Sequence, residues 1–157
     1  MTITIEPAAI DSPPVTTLIL ALNAELDARY PEEGANHFRL DPDEVAPGRG
    51  AFLVAYVDGV AAGCGAVRVN EPGTAEIKRM YVLPAHRGRG IAGKILAELE
   101  DHARTLGVRQ LVLETGARQP ESIAVYSRAG FVEIPLFGEY LNSPLTSLCM
   151  GKKLAHE

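Results

Sequence analysis

A glycine-rich turn between a predicted strand and a predicted helix is the feature that most limits what this chain can fold into. The turn, Arg87–Lys94, contains three glycines and ends where the apolar periodicity of a helix begins. Glycines let a backbone approach a ligand closely, and the first N–H groups of a helix lack an intrahelical acceptor and favour an anion. The stretch Glu76–Lys94 carries five Lys or Arg against one acid, although the formal net charge of the chain is −5. These observations predict a site for a ligand that carries phosphate.

The segments around this turn predict a mixed α/β fold with a mostly antiparallel central sheet flanked by helices. Apolar runs at 51–57 and 60–69 flank Asp58-Gly59, a strong signal for a two-residue hairpin turn, and a third strand is predicted at 75–82. Periodicity and turn residues predict the other elements: a strand at 2–6, a helix that Pro13 opens and Pro31 ends, a helix at 90–106, a strand at 110–114, a helix at 119–129 and a strand at 146–153. The expected order is β-α-(α)-β-β-β-α-β-α-β(-β), in which the bracketed elements are optional.

Length and composition narrow the class of protein. A chain of 157 residues with 46% hydrophobic and 22% charged residues is typical of a globular fold, so we expect a single domain over 1–157. The two cysteines and four histidines lack metal-ligand spacing, and no apolar run approaches the ~20 residues that a bilayer requires. An acidic chain is also a poor non-specific ligand for nucleic acid. We therefore expect a cytoplasmic protein without a metal, membrane or nucleic-acid partner.

Two nucleotide-binding patterns overlap the turn. Gly88–Lys94 matches the first seven positions of GxxxxGK[ST], but Ile95 replaces the hydroxyl residue that would hold magnesium, which argues against an NTPase. The three glycines also fit the dinucleotide pattern GxGxxG, with Glu114 about 20 residues further on. Three antiparallel strands precede the motif and only one helix is predicted after Glu114, so a doubly wound sheet cannot be completed. A dinucleotide site stays open as a minor alternative.

A different pair of motifs accounts for more of the chain. Arg87, Gly90 and Ala92 lie between a strand and a long helix in the spacing [Q/R]-x-x-G-x-[G/A]. Tyr126 precedes a Gly-Phe pair in the spacing Y-x-x-x-G-F at the end of the next helix. In both motifs, and in the order of elements over about 51–153, the chain resembles the GNAT superfamily of N-acetyltransferases. The resemblance implies that it transfers an acetyl group from acetyl-CoA to a primary amine of a small molecule or amino acid, by direct attack on the thioester.

The resemblance also implies where acetyl-CoA binds. In the family, the pyrophosphate rests on the turn, whose counterparts here are Arg87, Gly88, Arg89, Gly90, Ile91, Ala92, Gly93 and Lys94. The pantetheine arm pairs like an added strand with the strand before the turn, at Met80, Tyr81 and Val82. The thioester carbonyl then lies near the Met80 N–H, a donor for the oxyanion of a tetrahedral intermediate. Gln119 stands where many members carry an asparagine, which implies a further cofactor contact.

Two catalytic residues follow from the same resemblance. Glu76 lies 11 residues before Arg87, the spacing of the glutamate that acts as base in histone-acetylating members. An ion pair with Lys78, two residues along the same strand, is an equally good interpretation of Glu76. Tyr126 occupies the position of the family tyrosine that serves as general acid beside the thioester sulfur.

The acceptor side is less sharply defined by the sequence. Residues 1–48 hold two arginines and nine acids, so an acidic rim can attract a cationic amine. Tyr30, Glu32 and Glu33 lie in the region that lines the acceptor cleft in the family, and Phe137 and Tyr140 are candidates for the opposite wall. The alternatives to a small amine are a protein or peptide N-terminus or lysine, and a non-catalytic CoA-binding regulatory domain. By analogy with the family, we expect a homodimer.

Overall fold

A computed structural model describes residues 1–31 and 40–154, so Glu32 and Glu33 lie outside the described residues. The elements follow the expected order: β1 Ile3–Pro7, α1 Pro13–Arg29, β2 Gly50–Val57, β3 Val60–Glu71, β4 Thr74–Val82, α2 Ile91–Thr105, β5 Gln110–Gly116, α3 Pro120–Arg128, β6 Val132–Ile134 and β7 Ser147–Lys153. Short 3-10 helices lie at Pro42–Val45, Pro84–His86 and Gly138–Asn142. The optional extra strand is β6, and it precedes the last strand instead of following it. Its three residues are too few to produce a periodic pattern.

The strands form one sheet in the order β1-β2-β3-β4-β5-β7-β6. Neighbouring strands are antiparallel except β4 and β5, which are parallel. The predicted mixed and mostly antiparallel sheet is therefore confirmed. The β2–β3 hairpin turns at Asp58 and Gly59, whose φ angles of 49° and 83° are those of the tight turn that an Asp-Gly pair favours.

Helices cover both faces of the sheet. Apolar side chains along β2 alternate between the two faces, and each face packs against a different helix. Leu53 and Ala55 belong to the buried cluster that α2 completes with Ile95 and Leu99. Phe52 and Val54 point to the other face, where α1 supplies its own buried apolar residues, Val15, Leu18 and Leu22. Every helix in the described ranges is too short or too polar to cross a membrane.

The sheet opens between β4 and β5, and this opening positions the site. The two strands pair only from Thr74 to Ile77, although β4 continues to Val82. Two residues beyond the paired part, Arg79 adopts a left-handed conformation with φ 57°. The register between β3 and β4 shifts by one residue at the same point. Such a bulge bends its strand, so β4 turns away from β5 and leaves a cleft in the sheet.

Candidate active site

A cavity of about 800 Å³ lies between the end of β4, the start of α2 and α3. Of the twelve residues expected to bind acetyl-CoA, ten line it: Met80, Tyr81, Val82, Arg87, Gly88, Gly90, Ile91, Ala92, Gly93 and Gln119. Arg89 and Lys94 are exposed and do not belong to this lining. The structure therefore brings the turn, the end of the strand and the start of α3 together around one space.

The backbone of the turn has the shape that an anion site requires. Gly88 and Gly90 adopt φ angles of 78° and 77°, which L side chains rarely adopt, and Gly90 is the N-cap of α2. The N–H groups of Gly90–Gly93 are the first of the helix and have no acceptor one turn earlier. The N–H of Lys94 already donates to the Gly90 carbonyl at 3.2 Å, so it is not free for a ligand. A Cβ built on Gly93 meets no atom within 4 Å, which leaves room for a ligand against the helix start.

Arg87 holds the turn to its surroundings. Its Nε donates to the Val82 carbonyl at 2.9 Å, and its guanidinium pairs with the Glu25 carboxylate of α1 at 2.9 Å. The guanidinium also lies 5.5 Å from the centre of the Tyr81 ring. These three contacts join α1, the end of β4 and the turn, so the side chain of Arg87 is anchored at the rim of the cavity.

A second cavity, of about 100 Å³, lies where β4 and β5 separate. Tyr126, Met80 and Gln119 line both cavities, which places them at the junction. Tyr126 is 7% exposed, and its ring meets Phe131 edge to face with 6.0 Å between ring centres. Burial, and then the charge of Glu114, raise the pKa of Tyr126 above its ordinary value.

Glu76 is held by hydrogen bonds to both of its carboxylate oxygens. It lies opposite Arg68 in the β3–β4 register, and Arg68 donates to its Oε1 at 2.9 Å. The Tyr140 hydroxyl donates to its Oε2 at 2.5 Å. Glu76 therefore forms an ion pair with Arg68, its cross-strand neighbour, and the charge of Lys78 on the same strand also interacts with Glu76. Lys78 pairs with Glu139 at 3.5 Å.

Of the residues expected to bind the acceptor, two line the smaller cavity and one packs behind it. Tyr30 and Tyr140 are both 3% exposed and line the smaller cavity. The Tyr30 hydroxyl accepts the Arg118 N–H at 2.8 Å. Phe137 is outside the lining and supports Tyr140 through an edge-to-face contact with 5.2 Å between ring centres.

Glu114 is a site residue whose role the sequence did not indicate. It lies on β5 and lines the smaller cavity. The Ser147 hydroxyl of β7 donates to its Oε2 at 2.5 Å. Burial raises the pKa of Glu114 to about 7. A signal was present in the sequence, because a carboxylate interrupts the apolar run of a strand that is covered on both faces.

Comparisons with known proteins identify the family. The family described as "Acetyltransferase (GNAT) family" matches residues 18–131. This chain belongs to the GNAT family. An "IAA acetyltransferase" from Azospirillum brasilense is 43% identical over 141 residues, which span 89% of this chain and 90% of that protein. The chain is an N-acetyltransferase, which sets aside the dinucleotide alternative.

Solved GNAT structures share the fold. A Klebsiella pneumoniae protein assigned as an acyl-CoA N-acyltransferase is 34% identical and superposes with a TM-score of 0.83, over 98% of this chain and 99% of that one. The acetyltransferase yncA from Salmonella typhimurium, solved with its cofactor acetyl-CoA, is 22% identical with a TM-score of 0.68, over 100% of this chain and 96% of that one. The second similarity concerns the fold alone.

Proposed function

We propose that this GNAT enzyme transfers the acetyl group of acetyl-CoA to the primary amine of a small molecule or amino acid. The observation that carries the proposal is the meeting of two unlike cavities at Tyr126. The larger cavity begins at the N-terminus of α2 and has the room for an extended cofactor. The smaller cavity is about 100 Å³ and is lined by tyrosines and charged side chains, which favours a compact polar acceptor over a polypeptide.

The cofactor side uses backbone groups. The N–H groups of Gly90–Gly93 and the positive end of the α2 dipole bind the pyrophosphate. The open space above Gly88, Gly90 and Gly93 lets phosphate oxygens approach the main chain. The pantetheine arm lies along β4 from Met80 to Val82, where β4 is no longer paired with β5. The Met80 N–H then donates to the thioester carbonyl oxygen and stabilises the negative charge that develops there.

Tyr126 acts as the general acid. Its hydroxyl makes no hydrogen bond to the residues that the structure describes, and its position at the junction lies between the two cavities. Burial keeps the phenol protonated at neutral pH, so it can donate to the departing CoA thiolate. A thiol has a pKa of only about 8.5, so this proton transfer assists a leaving group that already departs readily.

Glu76 acts through Tyr140 more than through the substrate. Its carboxylate orients the Tyr140 ring, which lines the acceptor cavity, while Arg68 neutralises the carboxylate charge. Glu76 itself is 1% exposed and is absent from the lining of both cavities formed by the described residues. This arrangement favours the ion-pair interpretation of Glu76 over its use as the base.

An acceptor panel tests the proposal. Release of CoA thiol is measured with acetyl-CoA and separate acceptors: the common amino acids, small primary amines, a lysine-containing peptide, and IAA, which appears in the name of the Azospirillum relative. We expect turnover with an amino acid or small amine above the acetyl-CoA blank. Turnover confined to the peptide or to IAA, or no turnover with any acceptor although acetyl-CoA binds, would overturn the proposed acceptor class.

A further inference from the structure

We propose that Glu114 is the general base that takes a proton from the ammonium group of the acceptor, and that Glu76 is a positioning residue. This inference rests on the proposed function, since it needs an amine that enters the smaller cavity. It moves the base from β4, where the sequence motif suggests it, to β5 on the other side of the cleft. The case depends on which carboxylate an acceptor can reach.

Glu114 has an oxygen available for the acceptor. It lines the smaller cavity together with Tyr126 and Tyr140. Ser147 holds its Oε2, whereas its Oε1 has no hydrogen-bond partner among the residues that the structure describes. Ser147 therefore fixes the orientation of the carboxylate and leaves one oxygen for an incoming N–H. A general base must lie within hydrogen-bond reach of its proton, and an amine in this cavity meets Glu114.

Glu76 neither lines the two cavities nor has a carboxylate oxygen without a hydrogen bond. Its Oε1 accepts from Arg68 and its Oε2 accepts from Tyr140. Arg68 also pairs with Glu44, so the negative charge of Glu76 belongs to a network that is already neutralised. To accept a proton from a substrate, Glu76 would have to give up a buried ion pair, which is costly.

The surroundings of Glu114 favour a base that works near neutral pH. Burial is the main cause of its raised pKa of about 7, and the nearby charges of Glu76 and Glu139 act in the same direction. Lys78 and the Ser147 hydroxyl act in the opposite direction. Titratable and polar groups from several elements interact with Glu114. They are Tyr30, Glu76, Lys78, Tyr126, Glu139, Tyr140, Ser147 and Cys149. A base is most effective when its pKa lies near the working pH.

The proton balance of the reaction is complete with two residues. Glu114 takes one proton from R–NH3⁺ and releases it to solvent after the reaction. The neutral nitrogen then forms a bond to the acetyl carbon, and the bond from that carbon to sulfur breaks. Tyr126 gives its proton to the CoA thiolate and regains one from the new N–H2⁺ group. The products are the N-acetyl amine, CoA thiol and one proton.

The first test compares pH profiles of acetyl transfer to the best acceptor from the panel. We expect kcat of the wild type to fall below pH about 7 as Glu114 becomes protonated. Glu114→Gln should lower kcat by about 10²–10⁴-fold and abolish that fall, while acetyl-CoA binding by calorimetry is retained. Glu76→Gln is the matched control, because it changes the same functional group on the neighbouring strand. It should keep a fall in kcat at low pH, moved to lower pH because a charge that raises the pKa of Glu114 is gone. Glu114→Asp should restore part of the lost kcat.

Ser147→Ala provides an independent test that leaves the carboxylate in place. The Ser147 hydroxyl stabilises the ionised form of Glu114, so its removal should move the low-pH fall in kcat to higher pH. Carbon NMR of glutamate-labelled protein, with Glu114→Gln to assign the signal, should show a carboxyl that titrates near pH 7 without any acceptor.

The outcomes separate this inference from the proposed function. Glu114→Gln with wild-type kcat and an unchanged pH profile would overturn the base assignment and leave the acetyltransferase function standing. A Glu114 carboxyl that titrates at its ordinary pKa near 4.3 would do the same. Glu114→Asp also removes the labelled glutamate, so it assigns this signal if the glutamine variant fails to fold. Wild-type protein that binds acetyl-CoA and acetylates no amine would overturn the proposed function, and this inference with it.

Discussion

The two cavities are built from different parts of the polypeptide, although they share Tyr126. The larger cavity takes half of its lining from one segment between Met80 and Ala97, and the groups expected to bind the pyrophosphate there are backbone N–H groups. The smaller cavity draws its side chains from segments as far apart in the chain as Tyr30 and Thr146. Its charged lining residues include Lys78 and Glu114, which contact Glu139 and Ser147 from distant parts of the chain. The cofactor side therefore depends on the backbone of a local segment, and the acceptor side depends on side chains that the fold brings together.

The largest effect is expected from Arg68→Met, which removes the ion pair with Glu76 on the acceptor side and leaves the cofactor cavity unchanged. Removal of the guanidinium leaves the buried Glu76 without its cation, and loss of one partner of a buried pair costs about 3–5 kcal/mol of unfolding free energy. Denaturant unfolding measures this loss. The double variant Arg68→Met/Glu76→Gln should recover part of it, because the uncompensated charge is then gone. Equal unfolding free energies of Arg68→Met and the double variant would contradict the ion pair between Arg68 and Glu76.

Gly93→Glu is expected to break the cofactor side alone. The new carboxylate lies at the third position of α2, where an acid favours the helix, and the added Cβ meets no atom within 4 Å. The same charge repels a pyrophosphate, so acetyl-CoA should bind about 100-fold more weakly at unchanged or higher thermal stability. Gly93→Ala is the control for helix propensity. An affinity equal to that of the alanine variant would show that phosphate binds elsewhere.

Tyr126→Phe tests the junction. The phenylalanine ring keeps the contact with Phe131, so neither cavity should collapse. Loss of the general acid should lower kcat by about 10²-fold, the low end of the usual range, because a thiolate leaves readily. The dissociation constant of acetyl-CoA should change little. Unchanged kcat in a stopped-flow assay of acetyl transfer would remove Tyr126 from the chemistry.

The smallest effect concerns stability and pH. The pKa of Glu114 in the folded protein, about 7, is higher than its ordinary value, so ionisation of Glu114 lowers the stability as the pH rises through about 7. That cost is about 3 kcal/mol for a pKa that rises from 4.5 to about 7, and Glu114→Gln should raise the unfolding free energy at pH 8 by part of it. The difference should disappear near pH 4, where the glutamate is protonated in both states. A pH-independent difference in thermal unfolding would contradict the raised pKa.

The contrast between the cavities also explains what the sequence could predict. Gly88, Gly90 and Arg87 are neighbours in the chain, so a motif detects them together, and the hairpin at Asp58-Gly59 is equally local. The Arg68–Glu76 pair depends on the register between two strands, which no short motif contains. The contact between Glu114 and Ser147 depends on the pairing of β5 with β7. The positive φ at the bulge belongs to Arg79, and no glycine at that position indicates it in the sequence.

The separation of the two sides can be tested by one calorimetric comparison. Acetyl-CoA is titrated into the wild type, Gly93→Glu and Glu114→Gln under identical conditions at pH 7. We expect micromolar affinity for the wild type, nearly the same affinity for Glu114→Gln and a loss of about 100-fold for Gly93→Glu. Wild-type protein that fails to bind acetyl-CoA, or equal losses in the two variants, would contradict a backbone-built cofactor site that is separate from the acceptor carboxylate.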